Sequence, residues 1–246
     1  MLNLLNETFT RVRKSVQVWV SLILLIAIGL VIIFVLNMGQ SKMYNSFMLL
    51  PLQFMMYLVP YNGFFISRDY TNGTIRNKIV LGYSREKIYM TNWLLLSAVV
   101  IAEFLVFVVL MYSLGGAVLG FSWDFEFVEF VKIMVLALFN ILAFSSVAVM
   151  LCMCFQGVSG TVWSFFIYMI LEVLTLIAQL ATMKNEELNE KIYKFMGKLL
   201  PPEQASYLLG IDEVGSDDWK LIAYSIGVIV FTTGIGMLVF KKKNIK

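Results

Sequence analysis

Long apolar runs alternate with short polar breaks along all 246 residues, and that alternation predicts helices that cross a membrane. A span needs about 20 apolar residues to cover about 30 Å of hydrocarbon at about 1.5 Å of rise per residue. Six stretches meet that length: 16–36, 44–65, 92–119, 128–154, 161–181 and 220–240. The third and fourth exceed it, which implies tilt or extension beyond the bilayer. Apolar residues run continuously within each stretch rather than alternating, which excludes a transmembrane β-barrel. The expected fold is therefore all-α, a single membrane domain over 1–246 with six transmembrane helices.

The polar breaks have patterns of their own. In segment 1–15, Leu2, Leu5, Phe9 and Val12 recur at three- and four-residue intervals, with Asn3, Asn6, Glu7, Thr10, Arg11, Arg13 and Lys14 between them. That is an amphipathic helix suited to a membrane surface, or a positive flank that orients the first span. Segment 183–218 carries an apolar stripe of Leu188, Ile192, Phe195 and Leu199 ahead of Pro201-Pro202. Two short outer helices bent at the double proline are expected there, lying in the interface before the sixth span. Segment 66–91 is a basic loop in which Asp69 precedes Gly73 by four residues and Arg76 follows it by three. Gly73 supplies a turn, and Asp69 stands where it could cap that turn or pair with Arg76.

Composition narrows the chemistry. At 60% hydrophobic and 14% charged, the chain is not a soluble globule. The first apolar run lacks a small-residue cleavage site and is long enough to span, so it reads as a membrane helix rather than a removed signal. Histidine is absent. Its absence removes His-based acid–base catalysis, Ser–His and Cys–His nucleophile pairs and most transition-metal sites. Gly157-Val158-Ser159-Gly160 matches an intramembrane protease motif in form, but that serine has no histidine base and its small residues suit a tight turn. Cys152 and Cys154 read as packing thiols, with too few companions for a zinc site. No G-x-x-x-x-G-K-[ST] phosphate loop occurs, so ATP and magnesium would have to be bound by a separate subunit.

Lysine and arginine bias sets the orientation. With the N-terminus inside, the cytoplasmic segments collect Arg11, Arg13, Lys14, Arg68, Arg76, Lys78, Arg85, Lys87 and Lys241–Lys243. Both termini are then cytoplasmic, in a multi-pass protein of the plasma membrane. Pro51 and Pro60 fall inside the second span, where each favours a kink. Glu103 and Glu172 are the two acids within spans, each about eleven residues from its cytoplasmic start. A charge at such depth costs at least about 2.5–3.5 kcal/mol on insertion scales. Each is thus either a protonated acid bonded to a neighbouring helix or part of a translocation path that favours cations.

Taken together, the six spans, the amphipathic N-terminal helix, the broken insertion before the last span and the 66–91 loop resemble the permease subunits of type-2 ABC exporters, of the short bacterial peptide-export or bacteriocin-immunity kind. Asp69, Gly73-Thr74, Arg76, Ser84-Arg85 and Ile88-Tyr89 carry the motif-like part of that resemblance. The chain departs from the family pattern at Asp69, where a glutamate is usual, and at Asn92, where a lysine commonly begins the third span. The resemblance implies that the loop is a coupling helix seated in a groove of a separate ATPase subunit, with Asp69, Tyr70, Gly73, Thr74, Ile75 and Arg76 as its coupling residues. It also implies pairing with a second permease copy and two ATPase copies. The expected cargo is amphipathic or antimicrobial peptide, with lipid, drug or ion export as the alternative within the class. A non-transporting membrane sensor or assembly protein is the rival reading. No nucleic acid is expected as a partner.

Overall fold

The computed structural model describes residues 2–38, 61, 63–119, 127–156, 158–182 and 219–243, and the regular elements among these are all helical. Helix α1 (Leu2–Arg13) leads through a short break into α2 (Val16–Met38). Two short helices, α3 (Phe64–Thr71) and α4 (Thr74–Val80), precede α5 (Arg85–Leu110). A π-helical turn at Met111–Gly115 carries α5 into α6 (Gly116–Leu119). Then follow α7 (Phe127–Cys154), α8 (Val158–Thr182) and α9 (Lys220–Lys242).

Four helical stretches are long and apolar enough to cross a membrane: Val16–Val35, Arg85–Val118, Val131–Cys154 and Lys220–Lys242. In α8 the apolar stretch is shorter, Val158–Ile170. The expected second span, with Pro51 and Pro60, lies outside the described residues except at its last positions, and the whole 183–218 insertion lies outside them too. An all-helical chain with four helices of membrane-spanning length is what the described residues establish.

Helix α7 is the hub. It packs most extensively along α9, and also against α5, α8 and α3. Its buried positions include Ala137, Ala143, Ser145, Ser146 and Ala148, small side chains that let neighbouring backbones come close. The Ser146 and Thr232 hydroxyls meet at 2.8 Å across the α7–α9 contact. Where α5 crosses α9, the buried Tyr89 ring fills the space above Gly236 and lies tilted, its centroid 6.4 Å from that of Phe240. Any side chain at Gly236 would collide with that ring. Helices α1 and α2 join the bundle chiefly through α5.

At one end of the bundle the start of α5 meets the ends of α7 and α9. Arg85 donates to the carbonyls of Phe240 and Lys241 at 3.1 and 3.0 Å, and also to that of Lys243. A guanidinium on the last carbonyls of a helix satisfies acceptors that the helix leaves orphaned, and it faces the negative end of the dipole. The Lys243 ammonium reaches the carbonyl of Cys154 at the end of α7, and Lys241 pairs with Glu86 at 3.0 Å on the surface. The two ends of the described chain and the α3–α4 segment therefore share this basic end.

Helix α5 starts seven residues ahead of the span expected from Asn92. Ser84 explains the early start, accepting a hydrogen bond from the Lys87 N–H at 3.4 Å in the position of an N-cap. Asn92 itself is buried and donates to the Met153 sulfur at 3.5 Å, so it belongs to the α5–α7 contact.

Candidate functional site

The loop expected over 66–91 folds as a compact helix–turn–helix. Gly73 sits between α3 and α4 with φ +67°, the left-handed region that glycine enters without steric penalty. Helix α4 ends in a second such turn at Gly82, with φ +86°. There the Tyr83 N–H bonds to the Lys78 carbonyl at 3.1 Å and the Gly82 N–H to that of Ile79 at 2.9 Å, which is the Schellman arrangement.

A buried charge cluster fastens this unit to α1. Asp69, 1% exposed, pairs with Arg11 through one carboxylate oxygen and with the Lys78 ammonium at 3.8 Å through the other. Lys78 also donates to the Thr8 hydroxyl at 3.2 Å, which in turn donates to the Leu4 carbonyl at 2.7 Å. The Arg11 guanidinium lies 5.6 Å from the Phe65 ring centroid, a cation–π contact. Asp69 therefore takes neither of the two roles open to it from the sequence: it pairs with Arg11 and Lys78 rather than Arg76, and no side chain caps the helix at the Gly73 turn. Arg76 is exposed, and Lys78 rather than Arg76 shares the inward face of α4 with Ile75. The stripe of α1 is likewise only partly apolar. Leu4, Thr8 and Val12 are buried, while Phe9 stays 58% exposed.

Two further bonds tie α3 to the hub. The Tyr70 hydroxyl donates to the Met153 carbonyl at 2.7 Å, and burial pushes its phenol pKa up, keeping it a donor. Ser67 and Thr161 share a hydrogen bond at 2.8 Å, linking α3 to α8. Among the expected coupling residues, Asp69, Tyr70 and Ile75 thus face inward. Thr74 is half-buried beside the Gly73 turn, and Arg76 faces out.

What α4 presents outward went unnoticed in the sequence. Val80 and Leu81 are 78% and 74% exposed at its tip, beside exposed Arg76 and Asn77. The signal was there, because two adjacent apolar residues directly before a glycine turn in a basic loop have no helical face to join.

Of the two acids expected within spans, Glu103 is the one whose side chain is described. Glu103 is buried on α5 and accepts a hydrogen bond from the Ser21 hydroxyl of α2. Ser21 lies five residues into α2, so the acid stands roughly 8 Å along that helix from its basic-end start. Glu172 lies on α8, which packs against α7 and α3, and its side chain falls outside the described residues.

Burial and the neighbouring Arg11 guanidinium push the Lys78 pKa down to about 8 from 10.5, against a weaker pull from Glu7. Because the folded value lies below the unfolded one, the unfolded chain binds more protons between them. The stability at stake is fully present above pH 10.5 and is lost as pH falls through about 8. The melting temperature of the purified protein is therefore expected to rise between pH 8 and 10. Lys78→Met should flatten that rise, and an equal slope in both proteins would contradict the assignment.

Compared with protein-family models and with curated proteins, the chain matches none of them.

Proposed function

We propose that the chain is the transmembrane subunit of an ATP-driven exporter of the type-2 ABC kind, working as a dimer with separate ATPase subunits. The observation that carries this reading is the α3–α4 unit. It exposes two apolar side chains at its tip, yet it is tied to the bundle by Asp69, Tyr70 and Ser67. Exposed Val80 and Leu81 favour a partner that covers them. The bonds behind them would pass a displacement of the tip to α1, α7 and α8. In this reading the basic end faces the cytoplasm, the ATPase supplies ATP and magnesium sites that this chain lacks, and the cargo is an amphipathic or antimicrobial peptide. Residues 69–76 then divide the work. Asp69, Tyr70 and Ile75 anchor the unit, Gly73 with Thr74 sets its angle, and Arg76 with Val80 and Leu81 meets the ATPase.

Co-expression with an ATPase encoded beside the gene, followed by co-purification, tests the proposal. Leu81→Glu is expected to lose the ATPase while the membrane protein accumulates normally, because a charge enters an apolar contact. Gly73→Val should retain some ATPase but lower peptide-stimulated ATP turnover several-fold, since a β-branched residue resists φ +67°. Full retention of the ATPase by Leu81→Glu would refute the docking role and favour a membrane sensor or assembly protein.

A further inference from the structure

The elbow between α1 and α2 carries two clefts. The first, about 230 Å³, lies between α1, α2 and α5, with Phe9, Arg13, Trp19, Ala98, Ala102 and Glu103 on its walls. Apart from Arg13 at its rim and Glu103 at depth, its lining is apolar. The Trp19 indole N–H donates to the Arg13 carbonyl at 2.9 Å, so the ring's polar edge is held at the elbow while its body stays half exposed. That is the posture of a tryptophan at a headgroup boundary. The second cleft, about 220 Å³, holds Arg11, Lys14, Arg68 and Asp69, three cations against one carboxylate that Arg11 and Lys78 already engage. Among the described residues, neither Arg13 nor Lys14 makes an ion pair.

We propose that this elbow binds one anionic phospholipid, with the upper part of an acyl chain in the carbon-lined cleft and the phosphate against Arg13 and Lys14. Three observations converge on that occupant. The cleft starts where a membrane-length helix leaves the polar end, which is headgroup depth. Its wall is hydrocarbon over roughly the first 8 Å of α2, which suits a chain and not a polar ligand. Arg13 stands on its wall and Lys14, the next residue, lines the second cleft, so two exposed cations lie at the elbow, which favours a lipid of net negative charge over a zwitterion. A cationic amphiphile drawn by Glu103 fits less well, because it would meet Arg13 first and then an acid already bonded to Ser21. The inference rests on the membrane character of the chain and is independent of any ATPase.

Native mass spectrometry of the protein in neutral detergent, titrated with phosphatidylglycerol or phosphatidylcholine, tests it. The parent is expected to bind phosphatidylglycerol more tightly. Arg13→Gln and Lys14→Gln should each weaken that binding about fivefold and weaken phosphatidylcholine less, because its choline already offsets the phosphate charge. Ala98 is exposed on the cleft wall, so Ala98→Trp fills the space from outside the core and should block both lipids, whereas Ala98→Ser should bind like the parent. Should Ala98→Trp fail to fold, the two glutamine variants still decide. Equal binding of the two lipids by the parent overturns the proposal. So does unchanged phosphatidylglycerol binding in a folded Ala98→Trp protein, or tighter binding of an alkylammonium amphiphile than of phosphatidylglycerol.

Discussion

Asp69→Ala is expected to destabilise the protein by about 3–5 kcal/mol, because it leaves two cations without their buried counter-ion. Arg11 and Lys78 would then face each other around an apolar gap beside Phe65 and Ile75. Helix α1 should release from the α3–α4 unit before the rest of the bundle opens. Limited proteolysis within 2–15, with a melting temperature lower by roughly 10 °C, would register the release. The double variant Asp69→Leu with Lys78→Met should recover part of the loss, since it removes one buried cation along with the anion. A single Asp69→Ala protein as stable as the parent would show that the cluster adds nothing to the fold. The same variant also bears on function. If the α3–α4 unit is a lever, it should bind an ATPase at its tip yet fail to transmit, which separates anchoring from docking.

Gly160→Ala should be strongly destabilising. A methyl there would stand 2.5 Å from the Cys152 Cα, 2.7 Å from the Phe155 carbonyl oxygen and 2.9 Å from that of Leu151. All three are backbone atoms of the end of α7 and the turn that follows it, so no side chain can swing away. Over-packing of this kind costs about 1–3 kcal/mol or more. Here it should also part α8 from the hub and strain the Ser67–Thr161 bond. Gly227→Ala on α9 is the control, with open space around its Cβ position. Equal melting temperatures for the two variants would mean that the α7–α8 turn is looser than this geometry. Ser159, in the same stretch, is exposed and donates to the Gln156 carbonyl at 3.0 Å, a local bond that closes the turn.

The helices of membrane-spanning length were legible because a run of about 20 apolar residues leaves backbone groups few alternatives to helix in hydrocarbon. For α2, α7 and α9 the expected bounds fall within two residues of the helices observed. The Gly73 turn was legible too, since it depends on one residue and its neighbours. The partner of Asp69 was not. Arg11 lies far upstream, and only the path of α1 across α5 brings the two together. Lys78 was readable in part, because its spacing from Ile75 places both on one face of α4. Counted as one more orienting cation, it lost that information. The depth of Glu103 depended on which helix was counted: eleven residues from Asn92 along α5, but level with Ser21, five residues into α2.

The clasp of Arg85 on the last carbonyls of α9 has a consequence for how the protein is made. Arg85 and Lys243 are 158 residues apart in sequence, whereas Asp69 and Lys78 follow Arg11 early in the chain. A ribosome adding about 5–20 residues per second needs roughly 8–30 s to travel from one end of the clasp to the other. Through that interval α1 can already hold the α3–α4 unit, while the start of α5 waits with its guanidinium unengaged and the Tyr89 ring has no α9 to cover it. Helix α1 can thus close on the α3–α4 unit well before α9 exists, and a ribosome stalled before α9 would leave the exposed ring and the idle cation open to any quality-control factor within reach.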